Sequence, residues 1–158
     1  MNLLMVVSDN HRDLDILHSL AALHPDYEYY LHCGDSELSE DELRPFVSVK
    51  GNNDYLPLPK QRLIHTESGT ILMVHGHLSL GSQSLARQAQ ALGANLVLVG
   101  HTHAPSHQVI DGVQIINPGA LSHPRSGHRY SYALLRKTPD QRFWDVSFHV
   151  FSTPPTLW

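Results

Sequence analysis

Residues 3–11 read LLMVVSDNH, a short apolar run that ends in two residues able to bind a metal ion, Asp9 and His11. The run has no polar alternation, which is typical of a strand that is covered on both faces. Further runs of this kind lie at residues 29–31, 46–49, 71–74 and 96–99. The sequence therefore predicts an α/β fold in which helices flank a sheet.

Two segments between these strands have the spacing of helices with one apolar face, Asp13 to Leu23 and Ser82 to Leu92. After Gly100 the pattern changes to close-set strands, at residues 107–110, 113–116, 130–136 and 143–151. The first two are joined by Asp111-Gly112, a dipeptide that favours a tight hairpin. We therefore expect the second half of the chain to be mostly antiparallel.

Length, charge and cysteine content narrow the class of protein. A chain of 158 residues has the size of one domain, so we expect a single domain over residues 1–158. Its only cysteine, Cys33, fits a reducing compartment, and the first residues lack the pattern of a signal peptide, so we expect the cytoplasm and no membrane partner. The formal charge of −4, without a basic run, argues against a stable nucleic-acid partner.

Each main apolar run is followed by side chains that can bind a metal ion. Ligands of open α/β sheets bind beyond the carboxyl ends of the strands, so these side chains should meet at one edge. Any one such motif is more often a solvated loop, but the ordered set at five strand ends predicts a metal site. The predicted metal ligands are Asp9, His11, Asp35, Asn52, His75, His101 and His103.

The order of these motifs resembles that of the calcineurin-like metallophosphoesterase superfamily, and the short length resembles its small prokaryotic phosphodiesterase branch. The motifs are DNH at 9–11, GD at 34–35, GNND at 51–54, HGH at 75–77 and GHTH at 100–103. The resemblance implies two mixed β-sheets packed as a sandwich and flanked by helices. It also implies one metal ion held by Asp9, His11, Asp35 and His103, and a second held by Asp35, Asn52, His75 and His101, with Asp35 bridging.

Oxygen and nitrogen ligands without thiolate suit Mn, Fe, Co, Ni, Zn or Mg, and among these we expect Mn. Two such ions can hold a hydroxide for in-line attack on phosphorus, so we expect a phosphodiesterase with Asn52 among its catalytic residues. Asn53 stands where many family members carry a histidine that assists the leaving group, and an amide cannot supply that proton. We expect Asn53 to orient a phosphate oxygen, and either water or a nearby histidine, for which His77 is the candidate, to protonate the leaving group. Arg12 and Arg125 are candidate contacts to the phosphate.

Other functions remain open at this stage. A phosphomonoesterase or a dinucleoside polyphosphate hydrolase could use the same ligands. A noncatalytic protein-binding scaffold of the same fold, like the retromer relative within the family, is a third possibility. Leu157 and Trp158 could serve a contact in a homo-oligomer.

Overall fold

Ten strands and three helices follow one another along residues 1–122 and 129–152, the part of the chain that the computed structural model describes. In chain order they are β1 (Asn2–Val7), α1 (Leu14–Leu23), β2 (Tyr29–His32), α2 (Glu40–Leu43), β3 (Val47–Ser48), β4 (Gln61–Thr66), β5 (Gly69–Val74), α3 (Ser82–Ala91), β6 (Leu96–Val99), β7 (Ser106–Ile110), β8 (Val113–Asn117), β9 (Tyr130–Lys137) and β10 (Asp145–Phe151). None of the described helices has the length and apolar character needed to cross a membrane.

The strands form two five-stranded sheets, ordered β10-β9-β1-β2-β3 and β4-β5-β6-β8-β7. Both sheets are mixed. In the first, β1 runs parallel to β2 and antiparallel to β9. In the second, β6 runs parallel to β5 and β8, while β4 and β7 close the edges in antiparallel pairs. The predicted pair of mixed sheets flanked by helices is confirmed.

The continuous apolar runs are explained by burial on both faces of the central strands. In β1, Leu4 and Val6 belong to the core between the two sheets, whereas Met5 and Val7 belong to the core under α1. In the second sheet, Leu72 packs under α3 in the same way. Full burial of a side chain of this size contributes about 1.5–3 kcal/mol, so each central strand is fixed from two sides.

The predicted helices and hairpin are present. Asp13 caps α1, because its carboxylate accepts a hydrogen bond from the Ile16 amide at 3.2 Å. The second predicted helix forms as α3 and ends one residue earlier than expected. Asp111 and Gly112 both have positive φ, at 51° and 79°, as a two-residue hairpin of this type requires.

Three elements differ from the sequence prediction. Strand β4 was not predicted, because it is an edge strand whose side chains alternate between exposed and half-buried positions. The short helix α2 was also missed, although Ser39 and Glu42 form a capping box at its start. In the second half of the chain, β8 pairs in parallel with β6, so that half is antiparallel only in part.

Candidate metal centre

Five loops meet at one end of the molecule, and each follows the carboxyl end of a strand. Three of them follow β1, β2 and β3 of the first sheet, and two follow β5 and β6 of the second sheet. The order of strands and motifs in the sequence predicts a site at the edge of one sheet. The centre instead lies where the edges of two sheets adjoin, which is why loops far apart in sequence contribute to it.

The backbone of these loops is strained. Of the eight non-glycine residues with positive φ in the described chain, all but Asp111 lie in this region, namely Asp9, His11, Arg12, Asp35, Glu37, His101 and His103. Such conformations cost about 1–3 kcal/mol each and concentrate at functional sites. Three backbone hydrogen bonds join the first two loops: Asp9 N to Gly34 O, His11 N to Asp35 O and Arg12 N to Ser36 O.

One cluster of possible ligands contains Asp9, His11 and His103, whose ligand atoms all lie within 4.8 Å of one another. Asp9 is fully buried, and its Oδ1 lies 3.3 Å from His103 Nε2. The rings of His11 and His103 are 5.6 Å apart. Two imidazoles and a carboxylate therefore converge on one point.

A second cluster contains Asp9, Asp35 and His75, again with ligand atoms within 4.8 Å. Nε2 of the buried His75 lies 3.3 Å from Asp35 Oδ2 and 3.0 Å from Asn52 Oδ1. His75 Nδ1 donates to the Cys33 carbonyl at 2.7 Å, which turns Nε2 toward the carboxylates. His101 lies beside this cluster rather than in it, with its ring 5.2 Å from that of His75.

The structure thus brings all seven predicted ligands into one region, with one difference in how they are grouped. The family pattern implies that Asp35 alone bridges the two ions. Here Asp9 belongs to both clusters, whereas Asp35 belongs to the second.

The residues present fit divalent cations. Asp9 Oδ1 is buried and has no hydrogen-bond partner among the described residues. A buried carboxylate oxygen without such a partner is costly unless a cation compensates its charge. The donor set of carboxylate, imidazole and amide, without thiolate, suits first-row divalent metals.

The surroundings of Asp35 in the second cluster keep its carboxylate ionised. Burial acts to raise the pKa of Asp35, but hydrogen bonds from His75 and Asn53 outweigh it and hold that pKa well below its usual range. Burial acts to lower the pKa of His75, but the hydrogen bond to Asp35 and the charges of Asp9 and Asp35 raise it above its usual value. The same carboxylates therefore favour the charged form of His75.

Two further carboxylates support the ligands from outside. Asp54 accepts backbone hydrogen bonds from Asp35 N at 3.0 Å, Gly51 N at 2.7 Å and Glu37 N at 2.7 Å, so it joins the second loop to the third. The Glu37 carboxylate lies 3.2 Å from His11 Nδ1, which fixes the ring with Nε2 toward the centre. From sequence, Asp54 is expected to orient a neighbouring loop. No motif marked Glu37, because its contact depends on the fold.

Two glycines allow the loops to approach one another. A Cβ on Gly51 would lie 2.1 Å from Asp35 Oδ1, and one on Gly100 would lie 2.2 Å from Ser8 Oγ and 3.1 Å from Asp9 Oδ2. Any larger residue at either position would displace a carboxylate of the centre.

Below the centre, His32 is fully buried and joins two of the ligand loops. The Gly34 amide donates to its Nδ1 at 2.9 Å, so Nε2 carries the proton and donates to Asn10 Oδ1 at 2.7 Å. Burial lowers the pKa of His32 to about 4. No sequence motif marks this histidine, and its role is to hold the loops that bear Asp9 and Asp35.

Three of the remaining predicted site residues lie near the centre, and the others lie outside the described residues. Asn53 donates to both oxygens of Asp35, from its backbone amide at 2.8 Å and its side chain at 2.9 Å. The His77 ring lies 5.4 Å from that of His75, and burial followed by the charge of His75 lowers its pKa. Arg12 is 71% exposed and lies 3.4 Å from Glu37. Arg125, Leu157 and Trp158 lie outside the described residues.

Known proteins that are similar to this chain in sequence or in structure point to one family. A model of the calcineurin-like phosphoesterase superfamily domain matches residues 1–139. A probable metallophosphoesterase of Bacillus subtilis, YsnB, is 37% identical over 155 residues, which cover 92% of this chain and 91% of that protein. The Escherichia coli phosphodiesterase YfcE is 34% identical over 100 residues, covering 56% of this chain and 51% of YfcE. A crystal structure of a predicted phosphoesterase from Streptococcus pneumoniae superposes with a TM-score of 0.86 at 30% identity, over 94% of this chain and 89% of that one.

Proposed function

The chain belongs to the calcineurin-like phosphoesterase superfamily, and we propose that it is a metal-dependent phosphodiesterase that uses two divalent ions. The observation that carries the proposal is the pair of ligand clusters that share the buried Asp9 carboxylate. Similarity to the phosphodiesterase YfcE favours a diester substrate over a monoester. Two divalent ions contribute +4, and the Asp9 and Asp35 carboxylates with one nucleophilic hydroxide contribute −3, so one positive charge remains, which suits a monoanionic diester.

In this proposal the assignment of the family pattern is kept: Asp9, His11, Asp35 and His103 hold one ion, and Asp35, Asn52, His75 and His101 hold the other. Asp35 then bridges the ions, and Asp9, which belongs to both clusters, lies close to each of them. When bound, the two ions supply Lewis acidity to the phosphoryl oxygens and make water nucleophilic at neutral pH. The Cys33 carbonyl and Glu37 keep the Nε2 atoms of His75 and His11 turned inward.

The other site residues act on the substrate or on the ligands. Asn53 holds Asp35 through two hydrogen bonds, so in this structure its amide positions a ligand. Its side-chain amide has a second proton, which can donate to a phosphate oxygen while the bond to Asp35 is kept. His77, next to His75 and His101, lies on the side of the centre where we place the leaving group. The exposed Arg12 would contact the phosphate, and Arg125, which lies outside the described residues, is proposed as a second contact.

We propose manganese as the native metal and the cytoplasm as the location. The ligand set does not distinguish manganese from Fe, Co, Ni, Zn or Mg, so the metal must be tested directly. We expect a single domain over residues 1–158, and no stable partner other than the phosphate ester or a second copy of the chain.

The proposal is tested with protein stripped of metal and reloaded separately with Mn, Mg, Ni, Co or Zn. Hydrolysis of bis(p-nitrophenyl) phosphate is compared with hydrolysis of p-nitrophenyl phosphate. We expect metal-dependent cleavage of the diester, with a kcat/KM above that of the monoester. A preference for the monoester would instead indicate a phosphomonoesterase on the same ligands.

Substitutions identify the site that performs the reaction. Asn52→Ala and His75→Ala should abolish the metal-dependent activity, whereas His18→Ala, on the exposed face of α1, should preserve it. Activity that survives both ligand substitutions would show that the site is wrong. Metal-loaded protein that hydrolyses no phosphoester in a broad panel would favour the noncatalytic scaffold.

A further inference from the structure

A cavity of about 260 Å³ opens beside the metal centre, between the end of β5, the turn after it and α3. His75 lines this cavity and also belongs to the second ligand cluster. His77 lines it as well, and its Nδ1 is buried without a hydrogen-bond partner among the described residues. The cavity therefore adjoins the metal centre on the side of His77, where the proposed function places the leaving group.

The walls of the cavity suit a flat, uncharged group. Val74, Leu78 and Leu85 supply apolar surface, and no carboxylate is among the described residues that line the cavity. Lys60 at the rim is a cation, which is favourable for a substrate that carries a phosphate nearby. Binding sites of this composition commonly fix the orientation of a ligand through a few polar groups.

Two amides supply those polar groups. Gln88 Nε2 donates to Gln61 Oε1 at 2.9 Å, so the two side chains form one continuous edge. Both glutamines are exposed, and the bond leaves the Gln61 amide protons and the Gln88 carbonyl without a partner among the described residues, so these groups can exchange water for a ligand. A neighbouring donor and acceptor match the edge of an adenine ring, which glutamine recognises through paired hydrogen bonds.

The size of the cavity limits its occupant. Its volume is that of roughly eight or nine water molecules at about 30 Å³ each, and it is smaller than the roughly 300–1,000 Å³ typical of sites for larger ligands. One ring system fits, whereas a second nucleoside would have to lie outside.

On the premise of the phosphodiesterase function above, we propose that this cavity binds the purine base of a nucleoside phosphodiester whose ribose 5′-oxygen is the leaving group. In the reaction water adds to phosphorus, the bond from phosphorus to the 5′-oxygen breaks, and that oxygen takes up a proton. The products are the free nucleoside and a phosphate monoester.

Two substrates that differ only in the base test the proposal. The methyl ester of adenosine 5′-monophosphate and the methyl ester of ribose 5-phosphate have the same reacting bonds. With metal-loaded protein, kcat/KM for release of adenosine should exceed that for release of ribose by about tenfold or more. Gln88→Ala should remove most of this preference, whereas Gln83→Ala, exposed on the same helix and away from the cavity, should retain it.

Binding measured without catalysis separates this proposal from the proposed function. Adenosine is titrated into the metal-free full chain while the side-chain amide NMR signals of Gln61 and Gln88 are followed. We expect both signals to shift, and we expect the Gln88→Ala variant to bind more weakly. If the protein hydrolysed both esters with equal kcat/KM, the proposal of a base-binding cavity would be overturned, while the proposed phosphodiesterase function would stand.

Two other results would also be decisive. Shifts confined to Thr102, Ser106 and Gln108, which line a neighbouring cavity of about 210 Å³, would overturn the assignment of the base to this cavity. If adenosine shifted Gln61 and Gln88 but no diester were hydrolysed, the proposed function and the leaving-group role would fail while the base site would be supported.

Discussion

Replacing Asp54 should destabilise the protein before any metal is bound. Its carboxylate is 7% exposed and accepts three backbone hydrogen bonds, from Asp35, Glu37 and Gly51. In Asp54→Asn the least disruptive orientation keeps the oxygen on the Asp35 and Gly51 amides and turns the new NH₂ group against the Glu37 amide. One hydrogen bond to a charged group is then lost and two donors face each other, which should cost about 2–3 kcal/mol. Asp54→Ala loses all three bonds, which should cost about 4–5 kcal/mol.

Urea unfolding of the metal-free protein measures this effect. For a domain of this size, a loss of about 2–3 kcal/mol corresponds to a decrease of about 1 M or more in the urea midpoint. Asp26→Asn is the matched control, because it removes the same charge from an exposed position. If Asp54→Asn unfolded within about 0.5 kcal/mol of the wild type, Asp54 would not be the residue that joins the second and third loops.

Three further predictions concern the residues that hold the ligands. Burial holds the pKa of His32 at about 4 in the folded state, whereas in the unfolded state the same ring has the ordinary pKa of about 6.5. The contribution of His32 to the free energy of unfolding should therefore reach its full value above about pH 6.5. It should fall by about 3 kcal/mol as the pH decreases to about 4, and urea unfolding of His32→Gln should show a flatter pH dependence. Gly51→Ala should weaken metal binding at least about tenfold in a calorimetric titration, because the new methyl would meet Asp35. Gly93→Ala is the control, since its methyl meets no described atom within 4 Å. Equal affinities of the two variants would contradict the close approach of Gly51 to Asp35. Glu37→Ala should weaken metal binding by about 10- to 100-fold, because the His11 ring loses the carboxylate that orients it. Glu67→Ala removes the same charge from an exposed position, and an equal loss of affinity in that variant would show that the effect of Glu37 is not specific.

The sequence was sufficient for those parts of the fold in which burial leaves a continuous pattern. Strands β1, β5 and β6 are buried on both faces, so their apolar runs could be recognised directly. Strand β4 lies at a sheet edge, where one face meets solvent and the pattern becomes weak. The division into two sheets was implied by family resemblance and not by periodicity, because strand length and burial do not specify which strands pair.

The candidate centre was predictable for the same reason. His75, His101 and the other predicted ligands each follow a strand, so they could be proposed without knowledge of the topology. Glu37 and His32 could not be identified in this way. Each acts through a contact with a residue more than twenty positions away, His11 for Glu37 and Asn10 for His32, and such contacts arise only once the loops adjoin.

The number of bound ions tests the central claim most directly. Metal-free protein is dialysed to equilibrium against excess Mn, and the metal content per chain is measured by elemental analysis. The wild type and His18→Ala should each bind two ions per chain, whereas His75→Ala should lose the ion held by the second cluster. A wild type that binds fewer than two ions at saturation, or a His75→Ala variant that binds both with unchanged affinity, would contradict the two-metal site.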